Sequence, residues 1–374
     1  MRHLFTSVSM LSLLGVLSVE SLGCASEEDD ATGTNDALSV TALGSGKGKL
    51  TTIFQDKETR RQPIDVDFNP KKPGEAWLVN FADDSVTILT GVGSANTAAT
   101  TVSSARKYDP AASHFMHRPP ALAMGQVVPQ YGQSWATCGD GDNGGNFFMG
   151  PTLFSADNNV FARATSGGLG SHLDMLHLTS YCRGIAWEKG NVYWTFNAEY
   201  GSVERYDFVK DHGPGMDDHS DGTVYRYLSG QLTPANSGIP SHMAYHVATK
   251  KLFIADTGAG RVIALDTTSG KMGKQLALSE KMRDAREMTG ASSTVVVKPG
   301  SVKFPSGLTI SNDVLYVGDA LSGKVSAFDL RGTFLQSFET GLTNGGLAGI
   351  RVGPDKKLYI VDRKSARLLR IDPK

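Results

Sequence analysis

The nine histidines of this 374-residue chain are unevenly spread: apart from His3, all lie between positions 114 and 246. Imidazole is the commonest metal ligand and changes charge near neutral pH, so such crowding marks where chemistry could sit. His117, His177 and His242 each stand at or just before a short apolar run. If those runs enter one channel, three imidazoles could converge on Zn²⁺ or Cu²⁺ and leave a position open for water or substrate. The plainer alternative is three polar side chains satisfied by hydrogen bonds. A second concentration runs from Asp211 to Asp221, with two histidines and four carboxylates in eleven residues. Here His212, Asp217, Asp218 and His219 suit a divalent cation or an acid–base pair. The alternative is a solvated loop of Asx turns around Gly and Pro. The third is Cys138-Gly139-Asp140-Gly141-Asp142-Asn143. Asp140, Asp142 and Asn143 are spaced as at the start of a structural calcium loop, without the bidentate Glu of an EF-hand. A Gly-rich turn explains them equally.

Other chemistries are excluded. No G-x-x-x-x-G-K-[ST] run is present, and no H-E-x-x-H or G-x-S-x-G, which removes a P-loop, a zincin helix and a nucleophile elbow. With 37 Lys and Arg against 38 Asp and Glu, the formal net charge is −1. Bulk electrostatics therefore gives no case for nucleic acid or an anionic membrane surface.

The elements that must position these residues are strands. From residue 50 onward a pattern recurs: an apolar run after Pro or Gly, an aromatic or β-branched run ending near Asp or Asn, a polar turn, then another alternating run. Clear copies begin at Pro240, Pro305 and Leu347, others at Gln62 and Arg183, and a divergent one at Pro120. Their innermost apolar residues are Ile64, Leu122, Ile185, Met243, Leu308 and Ile350, separated by 42 to 65 residues, so most copies carry inserted loops. Such a repeat predicts an all-β propeller of six blades, seven being the alternative, each of about four antiparallel strands. The last copy stops after its third strand. Lys49 to Phe54 would supply the missing outer strand and close the ring, leaving no open sheet edge. Trp77, Trp135, Trp187 and Trp194 are expected in the blade core, and Ser279 to Met288 as a short helix on an inter-blade loop.

The wording P-x-G-[IL]-x-[IV] followed by [LV]-[FY]-[IV]-x-x-D, as in Pro305-Ser306-Gly307-Leu308-Thr309-Ile310 and Leu315-Tyr316-Val317-Gly318-Asp319, is similar to NHL-type six-bladed propellers. More distantly, three channel histidines resemble the peptidyl-hydroxyglycine amidating lyases. That resemblance implies zinc on His117, His177 and His242, and names Arg118, Arg183 and Tyr181 as candidate catalytic residues.

The first residues read as an address. Met1-Arg2-His3 precedes an apolar run from Leu4 to Val19, and Ser21-Leu22-Gly23-Cys24 resembles a bacterial lipoprotein signal. Residues 1–23 are then a signal peptide, Cys24 is lipidated, 24–48 form an acidic, Gly/Ser-containing tether, and 49–374 the propeller. Ala25 after the Cys, by the same resemblance, implies an outer-membrane lipoprotein facing the periplasm or the cell surface. With Cys24 used, Cys138 and Cys182 remain as a disulfide pair in an oxidising compartment, or otherwise as two buried thiols. The expected function is a cell-envelope binding or scaffold module, a monomer whose loops hold a peptide, glycan or protein ligand. A metal-dependent lyase or hydrolase in the channel is the first alternative, and a lactone-type hydrolase using carboxylates and Ca²⁺ the second.

Overall fold

Strand-forming runs bounded by Gly, Asp and Asn turns pair with their sequence neighbours into six sheets. The computed structural model describes residues 42–44, 47–94, 96–141, 148–342 and 344–373. The signal segment, Cys24, Asp142 and Asn143 lie outside the described residues.

A lone strand, β1 (Lys49–Gln55), comes first. Blade 1 is β2 (Pro63–Phe68), β3 (Glu75–Asn80), β4 (Ser85–Thr90) and β5 (Ser103–Lys107). Blade 2 is β6 (Leu122–Val128), β7 (Gly132–Thr137), β8 (Thr152–Ser155) and β9 (Asp174–Met175). Blade 3 is β10 (Cys182–Lys189), β11 (Val192–Asn197), β12 (Ser202–Asp207) and β13 (Thr223–Tyr227). Blade 4 begins with β14 (Met243–His246), β15 (Lys251–Asp256) and β16 (Arg261–Asp266). The chain then leaves this blade as a hairpin, β17 (Lys271–Gln275) and β18 (Asp284–Thr289), and returns as β19 (Ser293–Val297) to complete it. Blade 5 is β20 (Pro305–Ser311), β21 (Val314–Asp319), β22 (Lys324–Asp329) and β23 (Phe334–Glu339). Blade 6 is β24 (Leu347–Val352), β25 (Leu358–Asp362) and β26 (Arg367–Asp372), with β1 as its outer strand.

The first strands touch in a circle, β2 to β6, β10, β14, β20, β24 and back to β2, which makes the six sheets one six-bladed β-propeller. The six repeat-anchor residues all lie on these inner strands and are at most 4% exposed. Aromatic rings fill the seam between blades 1 and 2: Trp77 lies 5.4 Å from Trp135, and both contact Phe161 at 5.2 Å. Trp187 departs from the expectation of a buried tryptophan. It sits at the far end of β10, beside a register shift, and 36% of it faces solvent at one end of the channel.

Two further differences have physical causes. The expected helix at Ser279–Met288 becomes strand from Asp284, because β18 pairs in parallel with β13 from Thr223↔Asp284 to Arg226↔Glu287. That hairpin extends blade 3 and explains the longest interval between repeat anchors. Ala42 and Leu43, within the segment read as tether, are buried beside Val314, Tyr316 and Leu347. Among the described residues no helix is long and apolar enough to cross a membrane.

The ring closes through β1, antiparallel to β26 from Lys49↔Asp372 to Gln55↔Arg367. Thr51 Oγ1 donates to Asp372 Oδ2 at 2.6 Å, and Lys357 Nζ lies 2.6 Å from Oδ1. Burial works against ionisation of Asp372, but hydrogen bonds from Lys357, Thr51 and Arg370 outweigh it and hold its pKa at about 2. A depressed carboxyl pKa contributes stability above its unfolded value of about 4, and that contribution is lost as pH falls toward about 2. Amides of β1 are therefore expected to lose hydrogen-exchange protection across that window in the wild type. In Asp372→Asn they should be less protected at neutral pH and lack this pH dependence.

Candidate metal centre

Blade 2 makes a long excursion between β8 and β9, and His172 lies two residues before Asp174 at its end. Blade 3 makes another between β12 and β13, carrying His212 and His219. The second excursion lies on the first through backbone bonds: His212 N donates to Leu173 O at 3.0 Å and Gly215 N to His172 O at 2.9 Å. This close approach needs glycine at 215. Its φ is +72°, and a Cβ there would collide with the Thr165 side chain and lie 2.8 Å from Gly170 O. Glu280 reaches the same place from the β17–β18 turn.

Each of the three imidazoles is held by its Nδ1. His172 Nδ1 donates to Leu169 O at 2.8 Å, His212 Nδ1 to Gly213 O at 2.7 Å, and His219 Nδ1 to Glu280 Oε2 at 2.7 Å. A carbonyl can only accept, so the proton sits on Nδ1 of His172 and His212; neutral rings then present Nε2 lone pairs. All three Nε2 atoms are buried without a hydrogen-bond partner. One ligand atom from each ring falls within 4.8 Å of the others. The ring centroids of His172 and His212 are 4.9 Å apart and those of His212 and His219 5.4 Å. Phe115 stacks on His172 at 3.9 Å and fixes that ring. Asp174 stands alongside: Oδ1 is 3.9 Å from His212 Nε2, and Oδ2 is buried without a partner.

Burial, reinforced by the His212 charge, pushes the His172 pKa down to about 3. Burial also holds His212 below its ordinary value. Burial drives Asp174 well above the carboxylate range, and the charges of Asp221, Asp211 and Glu280 add to it. Unprotonated imidazoles are what a metal ligand set requires, and a cation would reverse the balance at Asp174. Anchoring one ring nitrogen on a carbonyl or carboxylate while the other points at the ion is the usual outer shell of a histidine metal site.

Of the residues singled out by sequence, this centre brings together His212 and His219. It adds His172, Asp174 and Glu280. His172-Leu173-Asp174 places two ligand types at alternate positions entering a strand, on one face, and that spacing was the available signal. Asp217 and Asp218 are exposed and stay outside; Asp218 Oδ1 accepts from Ser220 N and Oγ at 3.1 and 2.7 Å.

The histidines expected in the channel have separate partners. His117 Nδ1 lies 3.3 Å from Asp84 Oδ2, and His242 Nε2 donates to Pro120 O at 3.1 Å. His177 follows β9, an outer strand, so it cannot enter the channel with an inner one. Its Nδ1 lies 2.8 Å from Ser279 Oγ and 3.0 Å from Glu280 Oε1, next to the His219 ring rather than His117 or His242. Among the described residues, His172, His212 and His219 form the one group of three with metal-ligand geometry.

The remaining candidates lie elsewhere. Cys138 and Cys182 are joined by a disulfide that links the end of β7 to the start of β10, across the same two blades as the histidines. Asp140, expected in a calcium loop, is instead buried in an ion pair with Arg183 and accepts from Ser237 Oγ at 3.0 Å. Tyr181 pairs with Asp140 in an isolated bridge and lines a cleft of about 420 Å³ with Tyr200 and Leu278. Arg118 precedes β6 and Arg183 is the second residue of β10, at the end of the ring where the inner strands begin.

No protein-family model matches the chain, and no curated protein does. Solved structures do resemble it. An auxiliary nutrient binding protein from Bacteroides ovatus aligns at 12% identity over 87% of this chain and 76% of its own, with a TM-score of 0.54. One from Bacteroides thetaiotaomicron aligns at 12% over 87% and 77%, with a TM-score of 0.55. A luciferin-regenerating enzyme aligns at 10% over 87% and 95%, with a TM-score of 0.51. At such identities the likeness identifies the fold, the six-bladed β-propeller that NHL-like repeats build.

Proposed function

We propose that the protein is a cell-envelope β-propeller binding module, carried on a lipidated Cys24, whose second and third blades are stapled by a zinc ion on His172, His212 and His219. The observation that carries the metal is three anchored imidazoles whose Nε2 atoms are buried and unpartnered, with one ligand atom from each ring within 4.8 Å of the others. Zinc–nitrogen bonds of 2.0–2.1 Å put tetrahedral donors about 3.4 Å apart, so the cage draws in by roughly 1 Å on the ion. Asp174, with Oδ1 3.9 Å from His212 Nε2, stands outside the three-histidine group and would have to move in to serve as a fourth donor. Three imidazoles with a nearby carboxylate and no thiolate fit Zn²⁺ or Cu²⁺, and zinc is the ion we assign.

The burial of these donors also favours a staple over a reaction centre. A catalytic zinc keeps a position open to water and substrate, whereas here each Nε2 and the free Asp174 oxygen expose less than 1 Å². The Bacteroides neighbours described as nutrient binding proteins are consistent with a module that holds a ligand at one end of the propeller. The test is elemental analysis of protein purified without chelator. One equivalent of zinc per chain is expected, and less than a tenth of that in His172→Ala/His219→Ala. A wild-type protein that takes up no metal on reconstitution, or a folded variant that keeps it, overturns the assignment.

A further inference from the structure

The mouth of the channel holds an arrangement of charge that the metal centre does not use. Three guanidinium groups belong to it, from Arg118 before β6, Arg183 in β10 and Arg363 after β25, and the charge of Arg118 acts on both of the others. Arg183 has its counterion, since it pairs with Asp140. Among the described residues, Arg118 and Arg363 have no carboxylate within 4.0 Å of their guanidinium nitrogens. Asp84 accepts from the Arg118 backbone N at 2.7 Å and lies 3.3 Å from His117 Nδ1, and the Ser237 hydroxyl beside Arg118 donates to Asp140 Oδ2 at 3.0 Å.

Arg118 and Arg363 are held in place by neutral contacts among the described residues. Arg118 Nη2 donates to Ser237 Oγ at 2.7 Å; Arg363 Nη2 donates to Gln62 Oε1 at 2.8 Å and its Nη1 to Gly238 O. Both lie against the ring of Phe81, at 4.8 and 5.7 Å from its centroid. Arg118 adopts a left-handed backbone, φ 52°, an uncommon conformation for a residue with a side chain, and the bond to Asp84 holds it there. Burial, then the charge of Arg118, lowers the pKa of Arg183 to about 10, and Arg363 is lowered by the same two causes. Like charges that act on one another in this way weaken the folded state unless an anion joins them. Beside Arg363 opens a cleft of about 430 Å³, walled by Arg363, Lys364, Gln62 and Ser237, the last of which Arg118 meets from outside the lining.

From this geometry we infer that the channel mouth binds a small doubly charged oxyanion, a phosphate monoester or a short dicarboxylate, between the guanidinium groups of Arg118 and Arg363. Oriented guanidinium forks match the oxygen spacing of both groups, and the phenyl face and neutral acceptors fix the forks without neutralising them. The cleft volume suits a ligand of metabolite size. This inference rests on the reading of the chain as a binding propeller and supplies its ligand class; the zinc analysis reports on the staple separately.

Isothermal titration of the purified protein in chloride buffer with inorganic phosphate, succinate and uncharged succinamide is the test. Saturable binding of phosphate, succinate or both is expected, with none for succinamide; the anion that binds more tightly identifies the source. Arg118→Gln and Arg363→Gln should each weaken binding about tenfold or more, the loss of one charge-assisted pair. Arg363→Lys, which keeps the charge and removes the fork, should fall between. Thermal melting checks that each variant is folded. Absence of binding by both anions, or unchanged affinity in folded Arg118→Gln and Arg363→Gln, overturns the inference.

Discussion

Ile53→Asp is expected to remove most of the stability of the propeller. Ile53 has no exposed surface and packs in the cluster that contains Trp77, Tyr359, Val361 and Leu368. Its strand is the one element that joins the beginning of the described chain to its last blade. Losing a buried Ile side chain costs about 2–5 kcal/mol, and an unpaired carboxylate in its place adds several more unless it takes up a proton. Domain stabilities are about 5–15 kcal/mol, so the sum approaches the whole. Denaturant unfolding should show a midpoint lowered by more than half, and hydrogen exchange should show β26 unprotected as its partner leaves. Thr51→Ala is the graded control, since it removes one hydrogen bond to Asp372 and should cost about 1 kcal/mol. A midpoint for Ile53→Asp within error of wild type would mean that blade 6 does not need its latch.

Stripping the metal is expected to have the next largest effect. An ion present at 1,000 times its dissociation constant stabilises the folded state by about 4 kcal/mol. For a chain of this size that corresponds to a fall in Tm of roughly 5–10 °C when a strong chelator is added. The effect should be local. Exchange protection should drop in the two excursions carrying His172 and His212, which lie on each other, while blades 5 and 6 keep theirs. Blades 2 and 3 remain joined by the Cys138–Cys182 disulfide, so the ring should stay closed. In His172→Ala/His219→Ala the chelator should change nothing. A wild-type Tm indifferent to a strong chelator after verified zinc loading would remove the stabilising role of the ion.

Much of the architecture was legible because strands are local. Alternation along each run, with Gly, Asp or Asn at its ends, determined six inner strands on the anchors Ile64 to Ile350, and the missing fourth strand of the last copy pointed to Lys49–Phe54 as the closure. The hairpin β17–β18 was not legible as strand, because its pairing partner, β13, lies more than fifty residues earlier in the chain and local pattern carries no information about such a neighbour. Trp187 was misjudged for a related reason: an aromatic residue in a strand is core only if a neighbouring blade covers it, and at the end of β10 none does.

The functional residues divide in the same way. By itself the sequence determined which residues could ligate a metal and that the loop from Asp211 to Asp221 was rich in them. It also marked Arg118 and Arg183 as residues of the channel mouth. Only the tertiary structure decided which of them meet. His172 joins His212 and His219 because two long loops from adjacent blades stack through backbone hydrogen bonds, while His117, His177 and His242 are claimed by other acceptors. Arg363 shares the Phe81 ring with Arg118 because ring closure brings the last blade beside the first. Strand periodicity is written in neighbouring side chains, whereas a metal or anion site is set by distances between segments far apart in sequence, and those distances exist only once the ring has closed.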